Sequence, residues 1–433
     1  MPRLPRVPVF ALILGFASSC GLVAFDDPPD RDAGELDGGE LGAAEAGLDA
    51  GQDADAAADM RDAEPPIEAG PREIGMDAAD GDSADGSVAD CEGLDRPPMR
   101  TIGAAFARTC ALLDGALHCW GDAIDGTANV PTLVDDSVRW LSLDVSESHV
   151  CVLSAESFRC FGTNAAGQLG TGDTTDSADL QEVDEIGPVY TFSTGDSHTC
   201  AIDCAQRLHC WGANVEGQLG TGGSVDPVPE PNEIGDETWL TVGTGQATTF
   251  AVRSDGALFG WGRNTASTLG LGPGAPGQVR RPVRVGDARW RIADGGLLLG
   301  CGIDEVEDLY CWGANDMMNL GFGDTMNRES PERLLDGPVS QVSAQLFHGC
   351  ALRMGELHCW GRGQEGQLAD GTNAARPIFQ VPGPTDWTEV VVGRFHTCGR
   401  RADASIWCAG DNRAGELGTG DGMRRNVLVQ VWP

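Results

Sequence analysis

The stretch Cys110 to Gly121, CALLDGALHCWG, decides the fold. Two apolar runs flank Asp114-Gly115, and Asp-Gly favours a two-residue type I′ turn. Pairing outward from that turn sets Leu113 opposite Ala116, Leu112 opposite Leu117, Ala111 opposite His118 and Cys110 opposite Cys119. Hydrogen-bonded and non-hydrogen-bonded pairs alternate, so the two cysteines fall on a non-hydrogen-bonded pair. There Cα atoms approach to about 4.5 Å, inside the range a disulfide accepts. Leu112 and Leu117 share the cysteine face, while Leu113, Ala116 and Trp120 lie on the other. A hairpin apolar on both faces suits a sheet sandwiched between neighbours.

Variants of the hairpin recur down the chain. Its first cysteine aligns with Cys151, Cys200, Phe250, Cys301, Cys350 and Cys398; its second with Cys160, Cys210, Gly260, Cys311, Cys359 and Cys408. The next residue is Trp120, Phe161, Trp211, Trp261, Trp312, Trp360 or Ala409, followed each time by Gly. A lead-in strand such as Trp140 to Val145 precedes each hairpin, and a Gly-rich loop such as GTNAAGQLGTGD from Gly162 follows most of them. A short strand often containing Pro, such as Pro282 to Val285, completes the unit. About four short strands at a period in the forties indicate a β-propeller blade. The expectation is an all-β, seven-bladed β-propeller over 97–433, with repeats at about 99–138, 139–187, 188–237, 238–287, 288–337, 338–385 and 386–433. The lead-in strand Met99 to Ala105 and the trailing strand Val427 to Val431 are predicted to meet in one composite blade that ties the ring shut.

The His198-Thr-Cys-Ala strand, the recurring Trp-Gly and the Gly-Gln-Leu-Gly-Thr-Gly loop resemble the regulator of chromosome condensation repeats. The resemblance covers about Met99 to Pro433 and implies a seven-bladed propeller. It also implies, as an alternative function, guanine-nucleotide exchange of the kind performed by the family's eukaryotic namesake. Unit one departs from the pattern, running DAIDGTANVPTLV after Gly121 without the Gly-Gln-Leu-Gly loop, and unit seven has Ala409 in the Trp position.

The chain has 15 Cys. Six hairpin pairs are expected as disulfides: Cys110–Cys119, Cys151–Cys160, Cys200–Cys210, Cys301–Cys311, Cys350–Cys359 and Cys398–Cys408. Unit four lacks both cysteines together, which is what a bonded pair predicts. With Cys20 assigned to lipid, Cys91–Cys204 is inferred by elimination. Such a framework implies an oxidising compartment. All 7 His sit at repeat-locked positions: His149, His198, His348 and His396 two residues before a hairpin cysteine, and His118, His209 and His358 just before the second. Neighbouring strand residues point to opposite faces, and zinc sites favour Cys-x2–4-Cys spacing, so these histidines are read as structural, with no metal and no cofactor expected.

Residues 1–20 read as an export signal: Arg3 and Arg6, then the apolar run Val7 to Phe16, too short to span a bilayer. Ala17-Ser18-Ser19-Cys20 resembles a bacterial lipobox, with Cys20 the lipidated residue. Residues 21–96 are rich in Asp, Glu, Ala and Gly; such a segment buries too little apolar surface to order itself and is expected to be a disordered acidic linker. All 29 basic residues are Arg, which removes lysine Schiff bases and P-loops, and a net charge of −37 argues against nucleic-acid binding. The best local basic patch is Arg280, Arg281, Arg284, Arg289 and Arg291. No Gly-x-Ser-x-Gly or His-Glu-x-x-His motif occurs. The expectation is therefore a non-enzymatic binding scaffold: an exported, monomeric lipoprotein of a Gram-negative cell envelope, touching membrane only through its lipid and binding a protein or glycan partner through its loops. A hydrolase working in the central channel is a further alternative.

Overall fold

The computed structural model describes Cys91, Leu94, 97–123 and 126–433. Residues 1–20 with Cys20, and the linker up to Asp90, lie outside the described residues. Within them the chain is built of antiparallel strands, with one short 3-10 turn at Thr265–Ser267.

The opening hairpin has the expected register: Leu113 faces Ala116 and Cys110 faces Cys119. Asp114 and Gly115 carry φ of 53° and 86°, the paired positive values a type I′ turn requires. Around each such hairpin stand two more strands, giving four-stranded sheets in simple meander order. They occupy 102–135, 140–182, 189–233, 339–380 and 387–432, and two further blades at 239–285 and 290–335 share the continuous strand Gln278–Gly295. That makes seven blades, each stacked on the next in order, with the last packed against the first.

First strands are innermost and largely buried, as at Trp140–Val145; fourth strands are outermost and mostly exposed, as at Ser177–Glu182. The core is a set of apolar layers between blades. Between blades one and two, for example, Cys110, Leu112 and Leu117 pack with Leu143, Val150 and Phe161.

The composite closing blade does not form. The strand Ile102–Ala105 pairs with its own hairpin, Ile102 opposite Ala111, across the turn at Phe106-Ala107. The trailing strand Arg425–Trp432 pairs only with Ile406–Gly410. Local pairing wins because a short turn costs less closure entropy than a pairing across the whole ring. The packed body also begins earlier than residue 97. Cys91 is buried and bonded to Cys204, with Cα atoms 5.0 Å apart, and Leu94 packs beside the same cluster.

All six hairpin cysteine pairs are brought together as disulfides, with Cα separations of 4.0 to 4.1 Å. In blade four Phe250 faces Gly260 in the same register. The fully buried Phe250 ring fills the space the sulfurs occupy elsewhere and packs edge-on to Trp312 at 5.5 Å. Because the register matches, the double substitution Phe250→Cys/Gly260→Cys is expected to form one more disulfide. The cross-link is worth about 2.5–3 kcal/mol at most, and loss of the ring costs about 3–5 kcal/mol, so net stability changes little or falls slightly. Mass spectrometry and thiol titration check it: two free thiols in the folded variant would mean that blade four cannot hold the bond.

Candidate functional site

The structure offers a central channel and seven seams. A cavity of about 180 Å³ at one end of the channel is lined mainly by first-strand residues of blades two to seven and by Pro97 to Arg100 of the entering chain. The Arg100 guanidinium donates to Asp144 Oδ1 at 3.2 Å. The other oxygen of Asp144 accepts from Ser193 Oγ at 3.1 Å and from the Thr194 N–H at 2.8 Å. Asp294 also feels Arg100. Burial raises its carboxyl to about 6, opposed by Arg100 and reinforced by Asp144. Glu389 is raised by burial too, although the Thr101 N–H and hydroxyl donate to it at 2.9 and 2.7 Å. The entering chain thus places one cation among three inward carboxylates from blades two, five and seven, and the channel's acids are engaged by the protein itself.

The seams explain the histidines. His149, His198, His348 and His396 are each fully buried against the next blade. Their Nε2 atoms lie 2.7 to 2.9 Å from the hydroxyls of Thr199, Thr249, Thr397 and Thr109. Each of those hydroxyls donates its one proton to a loop carbonyl of the preceding blade, at Gln168, Gln218, Gln367 and Glu416. The imidazole Nε2–H must then be the donor to the hydroxyl, which fixes the neutral tautomer. The same carbonyls of Gln168 and Gln218 also accept the indole N–H of Trp211 and Trp261. The loop glycine makes this approach possible: Gly220 has φ of +76°, and a Cβ there would stand 2.8 Å from Trp261 Nε1.

Burial holds these imidazoles far below their usual range, at about 3 for His149, His198 and His348 and about 4 for His396. Nδ1 of His198, His348 and His396 has no acceptor, which opposes protonation further. His118, His209 and His358 sit on the hairpins; His209 lies 3.2 Å from Asp203 and His358 3.6 Å from Glu356.

Other expected features take structural places. Asn164 in the first complete loop donates to the Asp173 carbonyl and accepts from the Leu169 N–H, and Asp421 pairs with Arg425 at 2.8 Å, so these aspartates brace their loops. Within the basic patch, Arg289 and Arg291 pair with Glu305 and Glu307, and Arg280 and Arg284 donate to backbone carbonyls. What the residue patterns did not reveal is that each histidine's partner lies one whole repeat further on.

The seam histidines set a pH dependence. Unfolded imidazoles bind protons below about 6.5, whereas these stay neutral in the fold to about 3 or 4. The unfolded chain therefore takes up more protons as pH falls from 6.5 to 4, and stability is lost through that window by about 1.4 kcal/mol per pH unit for each histidine. Asp196 and Asp294, raised to about 6, act oppositely and return part of the loss below pH 6. His198→Gln keeps a donor for Thr249 but takes up no proton. In urea unfolding with disulfides intact, its pH slope between about 6.5 and 4.5 should be smaller than that of the unaltered chain by close to one proton. An unchanged slope would contradict the burial of His198 as a neutral group.

Comparison with known proteins agrees with this architecture. Family models described as the regulator of chromosome condensation (RCC1) repeat match residues 189–218, 354–399 and 387–416. The human E3 ubiquitin-protein ligase HERC2 is 27% identical over 138 residues, 28% of this chain but only 3% of the ligase. The ultraviolet-B receptor UVR8 of Arabidopsis thaliana is 30% identical over 131 residues, 29% of this chain and 30% of the receptor. Among solved structures, Prp20p from Saccharomyces cerevisiae superposes with a TM-score of 0.67 at 17% identity, covering 78% of this chain and 87% of that one. Human WBSCR16 does so with 0.61 at 22% identity, covering 69% and 85%. The matched lengths of the sequence relatives are fragments of those proteins, and the structural likeness carries the fold alone. The chain carries regulator of chromosome condensation (RCC1) repeats at 189–218 and 354–416, within a propeller fold shared with Prp20p.

Proposed function

We propose that the protein is an exported, non-enzymatic binding propeller, anchored to a bacterial cell envelope by lipid on Cys20 and held off it by the acidic linker. The observation that carries the reading is the cysteine count. Of 15 Cys, 14 pair in seven disulfides, and the one left over is Cys20, at the end of the apolar leader. A framework of this kind forms and persists in an oxidising compartment.

A binding role is supported by how the chemistry-bearing side chains are spent. Four histidines bridge blades, the channel carboxylates surround Arg100, and loop side chains such as Asn164 brace their own loops. Prp20p, which shares the fold, binds Gsp1p and histones, so a protein partner is the reading favoured over a glycan. The protein acts as a monomer whose loops vary around a constant frame.

The test is expression of the full chain in its native envelope context. The mature protein should fractionate with membranes, carry acyl chains on its first residue, lose both when Cys20→Ser is introduced, and show no titratable thiols when denatured without reductant. A soluble cytosolic protein with all 15 thiols reactive would overturn the reading and return nucleotide exchange to first place.

A further inference from the structure

The second mouth of the channel, a cavity of about 130 Å³, is ringed by the turns that join first to second strands. The frame repeats, but the side chains at one register position do not. Blades two to four place Glu147, Asp196 and Gln246 there. Blades five, six, seven and one place Leu297, Leu346, Arg394 and Phe106. At the following position the first arc has Ser148, Ser197 and Ala247, while blades six and seven have Phe347 and Phe395. Small or polar residues complete the same turn elsewhere, so folding of the turn does not call for the apolar set. One half of the mouth is polar and acidic, and the other is a crescent of aliphatic and aromatic side chains, with Phe106 37% exposed.

Two arginines lie on that crescent. Phe347 and Phe395 stack at 5.2 Å with their planes 15° apart. The Arg362 guanidinium sits 4.9 Å from the Phe347 ring centre and 5.9 Å from that of Phe395. Arg394 sits 5.0 Å from Phe106, 5.7 Å from Phe347 and 5.5 Å from Phe395. In both, Nε is buried without a hydrogen-bond partner. Neither has a carboxylate in ion-pair contact among the described residues, whereas Arg253, Arg328 and Arg401 each engage two. A guanidinium lying on a ring face keeps its in-plane N–H fork available, and that fork matches a carboxylate.

We infer that this mouth is a docking site for an extended protein segment in which an Asp or Glu adjoins aliphatic or aromatic side chains. The carboxylate meets Arg362 and Arg394, and its apolar neighbours cover Phe106 and Leu346. Charge complementarity selects this occupant: among the described residues neither cation has a carboxylate in ion-pair contact, Arg394 feeling Asp196 only across the mouth, and Glu147 and Asp196 on the opposite arc repel a polyanion such as nucleic acid or an anionic membrane. The inference rests on the reading of the protein as a binding propeller.

The test is selection of a random peptide library on the purified, oxidised full chain, followed by fluorescence anisotropy with an enriched peptide. Enriched sequences should carry Asp or Glu beside Leu, Ile, Phe or Trp. Binding should weaken at least tenfold when that acid becomes its amide, at least tenfold in Arg362→Gln/Arg394→Gln, and severalfold in Phe106→Ser, an exposed change that spares the fold. It should not change in Arg281→Gln. Enrichment without acids, full binding to the double variant, or equal binding to anionic vesicles would overturn the site. If the double variant also still captures the native envelope partner, the mouth is wrong and the binding reading stands. If the unaltered chain enriches no peptide and captures no partner, both fall.

Discussion

A carbonyl oxygen buried between two blades organises this ring. The loop after each complete hairpin reaches over the neighbouring blade, which removes its backbone from water. A buried carbonyl left unpaired costs about 1–3 kcal/mol, so the next blade must supply donors. It does so with a threonine hydroxyl, as Thr199 does for Gln168, and with an indole N–H, as Trp211 does for the same atom. The preceding blade's histidine then supplies the proton that the hydroxyl has given away. Three elements from two repeats satisfy one another, and the repeat becomes a ring because each unit completes its neighbour.

The exceptions obey the same rule. Where the histidine position holds Thr248 or Leu299, the next blade has Gly300 or Gly349 instead of threonine, and Trp312 or Trp360 closes into the vacated space. Those indoles still bond the loop carbonyls of Thr268 and Asn319. The seam between blades one and two drops the whole device at once, with Arg108 for histidine, Val150 for threonine, Phe161 for tryptophan and no complete loop. Apolar packing and the connecting chain hold it. The seam between blades seven and one has no chain across it and keeps the device: His396, Thr109 and the Glu416 carbonyl, with the Gly420 N–H bonded to Asn129 O at 2.7 Å.

The fold was legible because its signals are local. Asp114-Gly115 sets a register, and the register puts Cys110 opposite Cys119; repetition of the pattern then gives the blade count. Ring closure was not legible, because nothing near Met99 or Val427 reports that the loop of blade seven, from Gly410, packs on blade one. The pairing of His149 with Thr199 was present as a correlation between consecutive repeats, visible only when the repeats are offset by one. The second mouth was invisible for the opposite reason: Phe106, Leu346 and Arg394 do not repeat, and only the turn geometry brings them to one rim. The constant positions of this chain carry its architecture.

The most direct measurement is the unfolding free energy of Thr109→Val, with disulfides intact. Valine nearly preserves shape and already stands at the matching place in blade two, as Val150. If the ring is closed by the buried clasp, the substitution strands the His396 Nε2–H and the Glu416 carbonyl and lowers stability by about 2–4 kcal/mol. A change within about 0.5 kcal/mol, the size of an ordinary surface substitution, would show that closure lies elsewhere.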